Sequence, residues 1–375
     1  MLARRLAEAG AEVQAVLTAA ATEFVGPVTF EALTGRPALT SLWQPGRTLA
    51  HVELARDADL VIVAPATANV LARAAQGLAD DLLTALLLAR TGPVLCAPAM
   101  NDRMFAHPAT QENLRALRAR AWTIVGPAAG PLAEGPSDLP GRMSEPEEIF
   151  AWAERLLRSA GRLAGRRVVV TAGPTREPLD PVRIVTNRSS GRMGFALASA
   201  AFARGAHVVL ITGPTQLPPP PGVETRRVET TRDLEQAVAA ALPGTEVLMM
   251  AAAPADYAPA APTGAKQPRA EGGYTIALAP TPDILVSTRG LRPAKCVCVG
   301  FALETGDGDL ARARAKLESK GLDLVVLNRA DRPGVGPEGE TNAVTLVTRQ
   351  GSAEVPLQSK RDVAERIWDA VEGIL

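Results

Sequence analysis

The chain has 375 residues, 47% of them hydrophobic, which is enough for more than one buried core. Lys plus Arg and Asp plus Glu number 40 each, so the net charge is near zero and no basic field recruits nucleic acid or an anionic membrane. Aromatic residues make up only 3%, too few for platforms that stack single-stranded bases, and no apolar run reaches the ~18 residues that span a bilayer.

In chain order, Met1–Ala9 has helical period and Gly10 stops it. Glu12–Leu17 reads as a strand, as do the apolar runs Asp59–Ala64, Pro93–Ala97 and Trp122–Val125. Asp80–Ala89, Gln111–Arg120 and Glu145–Leu157 read as helices. Short continuous apolar strands separated by helices predict a parallel sheet covered on both faces. The segment 158–165 (RSAGRLAG) reads as a linker between domains at 1–157 and 166–375. The second half has the same alternation of strand and helix. Its strands fall at Arg167–Thr171, His207–Thr212, Glu246–Ala251, Cys296–Phe301 and Leu322–Leu327, with helices at Met193–Arg204, Thr231–Leu242, Asp309–Lys320 and Ser359–Glu372. A hairpin is expected at Ala343–Thr348 and Ala353–Pro356, a polyproline turn at Pro218–Pro221, and a long irregular loop at Pro254–Gly273. The fold class is therefore α/β, with two Rossmann-like, doubly wound, mainly parallel sheets.

Three cysteines (Cys96, Cys296, Cys298) lie in apolar, strand-like runs and read as small core residues of a reducing compartment. Three histidines far apart in sequence give no ligand spacing, so no protein-held metal is expected. Arg4 and Arg5 lead into a charged, amphipathic segment and not an apolar one, so no signal peptide is expected and the cytoplasm is the expected location.

The most informative stretch is TNRSSGRMG (Thr186–Gly194), following TAGPTREP (Thr171–Pro178). Strand, small-residue turn, then helix is how open α/β sheets build an anion site. Gly173 and Gly191 allow close backbone approach, and Asn187, Arg188, Ser189 and Ser190 add donors. The same spacing also fits a Gly/Ser turn between two core elements.

At these residues the chain resembles the bifunctional coenzyme A biosynthesis enzymes, which join a flavin-dependent phosphopantothenoylcysteine decarboxylase to a phosphopantothenate–cysteine ligase. The likeness runs over essentially the whole chain: HVELARDADLVIVAPATAN (His51–Asn69), GLADDLL (Gly77–Leu83), PAMNDRMF (Pro98–Phe105) and PGRM (Pro140–Met143), then the two motifs above, AAAPADY (Ala251–Tyr257), TPDIL (Thr281–Leu285), GFALET (Gly300–Thr305) and Lys316 with Lys320. It implies a flavodoxin-like decarboxylase domain followed by a ligase domain.

In the first half, His51 matches the family's base. An imidazole can move a proton near neutral pH, although a lone His read bare is more often structural. Asn101 matches the Asn that holds the substrate carboxylate; read bare, it is a turn residue. Pro65, Thr67 and Asn69 match flavin contacts, and Thr18 a residue near the flavin phosphate, so FMN is the implied cofactor. Two departures stand out. The family's opening strand and GGIAAYK-like flavin loop have no match, which predicts weak FMN binding or none by this chain and the loss of a sheet strand. Glu134 stands where the flap carries a proton-donating Cys, so it is either a substitute acid or a solvated flap residue.

In the second half the resemblance implies CTP-dependent activation of 4'-phosphopantothenate to an acyl-cytidylate, then attack by cysteine, with Mg²⁺ accompanying the nucleotide. Asn187 matches the residue acting on the acyl-cytidylate, and Lys266 the mobile-loop lysine that assists activation. Met250, Ala251, Ala252 and Asp256 match the nucleotide-contacting strand end, and Pro282, Asp283, Ile284, Leu285 and Phe301 the cytidine pocket, with Thr281 where Asn is usual. Lys316 and Lys320, at i and i+4, match the triphosphate pair; bare, they are a solvated face beside Glu318. The family's assembly implies a homo-oligomer, dimeric through the ligase domain and trimeric through the decarboxylase domain, closing a dodecamer. Two other readings stay open: a working ligase with an inactive decarboxylase half, and a non-catalytic flavin- or nucleotide-binding regulator.

Overall fold

The computed structural model describes residues 1–43, 47–158, 161–266, 268, 275–306, 308–329, 334–336 and 338–375. They form two compact units, Met1–Leu157 and Arg158–Leu375.

The first unit is built on three adjacent parallel strands, Val61–Ala66, Val94–Pro98 and Thr123–Ile124. Side chains alternate between the two faces of this sheet. Val63 and Cys96 meet Leu71, Leu86, Leu114 and Leu117 from the helices Ala68–Gln76, Leu82–Ala89 and Pro108–Ala119. Leu95 and Val125 meet Leu6 and Ile149 from the helices Leu2–Glu8 and Pro146–Leu157. Both faces are covered, as the continuous apolar strands predict.

The expected strand Glu12–Leu17 is not formed. Only Val16 bridges, in parallel with Leu39, through Leu17 N to Leu39 O (2.8 Å) and Leu39 N to Ala15 O (3.0 Å). The partner is too short: Pro37 has no N–H to donate, and Gly35 ends a helix in the left-handed region at φ 69°. The sequence pattern did not single out the helix at Ala50–Asp57, although Ala50 and Ala55 are buried on it.

The second unit holds an eight-stranded sheet in the order Glu224–Arg227, His207–Thr212, Arg167–Ala172, Val247–Met250, Val297–Glu304, Leu324–Arg329, Thr341–Val347, Ser352–Ser359. The first six run parallel, and each of the last two pairs antiparallel with the strand before it, so the expected hairpin extends the same sheet. The chain walks outward from Arg167–Ala172 in one direction, then returns to Val247–Met250 and walks the other way. This creates a topological switch point between those two strands, where open α/β sheets bind ligands. Described residues of the segment 158–165 pack within this unit: Leu163 is fully buried, and Arg158 donates twice to Glu365, at 3.0 and 2.8 Å. Within the loop Pro254–Gly273, Tyr257–Pro259 forms a short strand against Leu278–Pro280, so the loop is less irregular than its composition predicts; residues 267 and 269–273 lie outside the described residues.

Close packing sets the ligand-facing end of the sheet. A Cβ on Gly194 would come within 2.5 Å of Ala172 Cβ and 2.9 Å of Thr171 O, so only glycine lets the helix Arg192–Ala203 rest on that strand end. Gly191 caps this helix at φ 77°, where an L side chain is strained.

Candidate active sites of the two units

In the first unit the strand ends bring two motifs together. Ala66 pairs with Pro98, and Ala99 N donates to Ala66 O at 3.0 Å, which sets the PAMN loop beside Pro65 and Thr67. Thr67 caps the helix Ala68–Gln76, accepting from Val70 N–H at 3.3 Å. Pro65, Thr67 and Asn69 are exposed on this rim. Asn101 caps the helix Asp102–Ala106: its Oδ1 accepts from Arg103 N–H (2.9 Å) and Met104 N–H (3.3 Å), while its Nδ2 donates to the Glu134 carboxylate. Met100 N donates to Gly141 O (3.0 Å), so the PGRM strand pins the same loop. Glu134 is exposed beside a tight Leu132–Gly135 bridge.

His51 lies in the first turn of the helix Ala50–Asp57, and its Nδ1 is buried without a hydrogen-bond partner among the described residues. It makes no hydrogen bond to Asn101 or Glu134. Thr18 caps a one-turn helix, accepting from Ala21 N–H at 3.2 Å. Sequence reasoning missed Ser137, which donates to Asp102 at 2.6 Å and so holds that carboxyl below its usual range. No motif marks it.

The second unit gathers its predicted residues at the switch point. The Arg167–Ala172 strand and the loop after Val247–Met250 are stitched by Ala252 N–H to Thr171 Oγ1 (3.1 Å) and Ala253 N–H to Gly173 O (2.9 Å). Asn187 reaches across from the TNRSSGRMG turn, its Nδ2 donating to Pro254 O (2.9 Å) and Ala253 O (3.4 Å). Thr281 ties the TPDIL turn to the same loop, with Oγ1 to Ala255 O (2.6 Å) and N–H to Asp256 O (3.0 Å). Met250, Ile284 and Leu285 are buried; they form the floor and join the core. Ala251, Ala252 and Phe301 are half-buried, and Pro282 and Asp256 line the exposed rim.

Lys316, inside the helix Asp309–Ser319, and Lys320, its C-cap, have different partners. Lys316 Nζ donates to Phe301 O at 2.6 Å, and burial, with Lys320's charge, lowers its ammonium against the pull of Asp283, Glu304 and Asp256. Lys320 Nζ pairs with Asp283 Oδ2 at 2.8 Å. Burial raises the Asp283 carboxyl, but the Lys320 hydrogen bond and charge outweigh it and hold it low. Lys266 is exposed on the loop rim. A buried network missed in the sequence fixes these loops. Glu177 accepts from Thr231 N–H (2.8 Å) and Oγ1 (2.7 Å), Thr231 meets Thr175 Oγ1 (2.9 Å), and Thr175 Oγ1 accepts from Ala255 N–H (2.9 Å).

Residues 1–157 match the Flavoprotein family and residues 163–374 the C-terminal domain of the DNA/pantothenate metabolism flavoproteins. The coenzyme A biosynthesis bifunctional protein CoaBC of Vibrio cholerae is 45% identical over 374 residues, covering 99% of this chain and 93% of that protein. This chain belongs to the family of bifunctional coenzyme A biosynthesis proteins. Its CoaBC relative in Mycobacterium tuberculosis (strain H37Rv) is 46% identical over 388 residues, 99% of this chain and 92% of that protein. In fold, the crystal structure of the DNA/pantothenate metabolism flavoprotein from Streptococcus pneumoniae superposes with a TM-score of 0.50 at 24% identity, over 56% of this chain and 100% of that one. As a member of the CoaBC family this chain is a bifunctional enzyme of coenzyme A biosynthesis, with a flavoprotein half carrying the decarboxylase and a second half carrying the ligase.

The residues present suit the flavin that the first half implies. Exposed polar groups sit at a strand end and the helix start beyond it, and the orphaned His51 Nδ1 is a buried polar atom in want of a partner. Among the described residues no group of three or more His, Cys, Asp or Glu could hold a metal, and no helix is long and apolar enough to cross a membrane.

Proposed function

We propose that the second unit, residues 166–375 reached through 158–165, joins 4'-phosphopantothenate to cysteine at the expense of CTP. The first unit, 1–157, then decarboxylates the product to 4'-phosphopantetheine with FMN. The observation that carries this is the convergence of Asn187, Asp256, Asp283, Phe301, Lys316 and Lys320 on the switch point of one sheet. A plain nucleotide-binding regulator has no use for Asn187 reaching across two loops, or for Lys266 on the rim.

In the ligase step a carboxylate oxygen of phosphopantothenate attacks the α-phosphorus of CTP, and pyrophosphate leaves. The cysteine amine then attacks the acyl carbon, expels CMP and loses a proton. Lys320, with Lys316 behind it, meets the phosphate charge. Lys266 offsets the charge that develops on the α-phosphate, and Asn187 orients the acyl-cytidylate. Mg²⁺ enters as the partner of the triphosphate, not in a protein cage.

In the first unit Pro65, Thr67, Asn69 and Thr18 would hold FMN. Bound FMN supplies a reversible two-electron oxidation of the cysteine moiety, which provides a sink for the departing carboxylate. His51 moves a proton at its ring nitrogen. Asn101 orients the substrate carboxylate through Nδ2, displacing Glu134 from that donor, since its Oδ1 is already engaged by two backbone N–H groups. Glu134 then serves as the flap's acid. We place the protein in the cytoplasm as a homo-oligomer, with dimer contacts through the ligase half and trimer contacts through the flavin half.

The test is direct. The full chain, with CTP, Mg²⁺, phosphopantothenate and cysteine, releases pyrophosphate only when both CTP and phosphopantothenate are present; if neither CTP nor another nucleotide supports product formation, the ligase reading is overturned. For the decarboxylase, a flavin spectrum with carbon dioxide release that His51→Asn stops, while flavin stays bound, supports the roles given. Full turnover in Glu134→Gln would remove Glu134 as the acid.

A further inference from the structure

The strand Val297–Glu304 is entered through Cys-Val-Cys, and the proposed chemistry uses neither cysteine. Residues two apart on a strand face the same way. The sulfurs of Cys296 and Cys298 accordingly lie 4.0 Å apart. Cys298 is buried, whereas Cys296 is only partly so and stands just before the first residue of the ladder. It is held there by a turn, Cys296 N–H to Pro293 O at 2.9 Å, and not by strand pairing.

Arg292 stands beside the pair. Its Nη2 donates to Leu285 O, and its Nη1 reaches Lys320 O (3.3 Å) and Gly321 O (3.4 Å). Its Nε is buried with no partner among the described residues. A buried guanidinium N–H without an acceptor is costly, and a neighbouring sulfur anion relieves that cost. The groups around Cys298 act accordingly. The hydrogen bond with Cys296 lowers the Cys298 thiol, burial opposes, Arg292 lowers it further by charge and hydrogen bond, and Asp323, which accepts from Cys298 N–H at 2.8 Å, opposes. Cys296 is raised in turn, by its hydrogen bond with Cys298 and by burial, so Cys298 is the readier of the two to lose its proton. Cys96 is the contrast: fully buried, with no charged neighbour, and its thiol is pushed up to about 12 by burial.

We propose that Cys296 and Cys298 form a hydroperoxide-reactive dithiol site, oxidised to an intrachain disulfide, that controls the hold of Arg292 on the Leu285 and Lys320 segments. The thiolate of the pair attacks a peroxide oxygen: an S–O bond forms, the O–O bond breaks, and water leaves after proton transfer. The second thiol attacks the sulfenic sulfur, an S–S bond forms, and a second water leaves. Two thiols lose two electrons and the peroxide gains them. The sulfurs must close from 4.0 Å to a bonded ~2.05 Å, and Cys296, outside the ladder, is the side that moves. Oxidation ties up the sulfur that could lose its proton and face Arg292, so the bonds of Arg292 to the helix Ile284–Ser287 and to the C-terminal end of the helix Asp309–Ser319 loosen. These elements carry Asp283 and Lys320; that this matters for the nucleotide rests on the function proposed above, whereas the dithiol chemistry does not.

The test uses the full chain and needs no activity assay. Protein treated with hydrogen peroxide is blocked with N-ethylmaleimide, digested and weighed, and its hydrogen exchange is compared with that of the reduced form. The peptide spanning Cys296 and Cys298 should lose two hydrogens and take no maleimide, while the Cys96 peptide stays unmodified by peroxide. In Cys296→Ser this loss should vanish. Exchange at 284–287 and 319–322 should quicken in the oxidised wild type and not in Cys296→Ser. Maleimide on both cysteines after a peroxide dose that oxidises free glutathione, or equal oxidation of Cys96, overturns the dithiol site. A disulfide with unchanged exchange overturns its control of Arg292.

Discussion

Lys320 Nζ lies 2.8 Å from Asp283 Oδ2, and Asp283 also caps the helix Ile284–Ser287 through Val286 N–H. One ion pair thus joins the two helices that flank the proposed cytidine pocket. Removing the cation by Lys320→Gln should raise the KM for CTP by roughly tenfold to a hundredfold, the span of a lost charged hydrogen bond of ~1.5–3 kcal/mol. The same variant should change acid stability. Asp283 is held below its ordinary 3.8, so its contribution is present above that value and is lost as pH falls through the lower folded value. Without Lys320 the loss should begin at higher pH, a shift that acid denaturation followed by circular dichroism would show.

Asn187 and Lys266 are assigned to different steps, which separates their variants. Lys266→Gln should abolish pyrophosphate release. Asn187→Asp should still release pyrophosphate and then accumulate the acyl-cytidylate, detectable by mass spectrometry. Equal and mild effects in both would assign them structural roles.

Glu177 is nearly fully buried and accepts two hydrogen bonds from Thr231. Glu177→Leu leaves the buried Thr231 N–H without an acceptor and turns its hydroxyl back on Thr175 and Ala255, and should destabilise the protein by about 2 kcal/mol or more. Glu177→Gln keeps an acceptor oxygen and should cost clearly less. Urea midpoints of the two variants check the order; equal midpoints would mean that the network does not hold the loop.

Lys360 is buried, its Nζ donating to Gly336 O at 3.0 Å. Burial, and then the charge of Arg192, lowers its ammonium from 10.5 to about 8. Between those values the unfolded chain keeps a proton that the folded chain has lost. Stability should therefore rise as pH climbs from about 8 towards 10.5, and below 8 the contribution is a constant cost. Lys360→Met should flatten that rise in chemical denaturation at pH 7.5 and 9.5, both values chosen as about half a unit and more either side of the folded one. A wild-type slope no steeper than the variant's would contradict it.

Local pattern was enough for the central strands, because a strand buried on both faces must be apolar throughout. Arg167–Ala172, His207–Thr212 and Val247–Met250 each lie within about a residue of their expected ends. It was also enough for the family, because motifs such as TNRSSGRMG and TPDIL are contiguous in the chain. It failed at Glu12–Leu17, whose apolar residues suit a strand but whose partner around Pro37 cannot supply a ladder. Strand pairing is a property of two segments, and one of them does not reveal it.

Residue order alone thus establishes a two-unit α/β protein of the coenzyme A biosynthesis family, and the residue types suited to its chemistry. Their mutual relations arise only on folding. Asn187 reaches Pro254, Asn101 spends its Oδ1 on a helix cap and offers Nδ2 to Glu134, and Arg292 bridges Leu285 and Lys320 beside two sulfurs. The partners lie apart in the chain, most of them by tens of residues, and their hydrogen bonds exist only once a shared core has excluded water and fixed both sides.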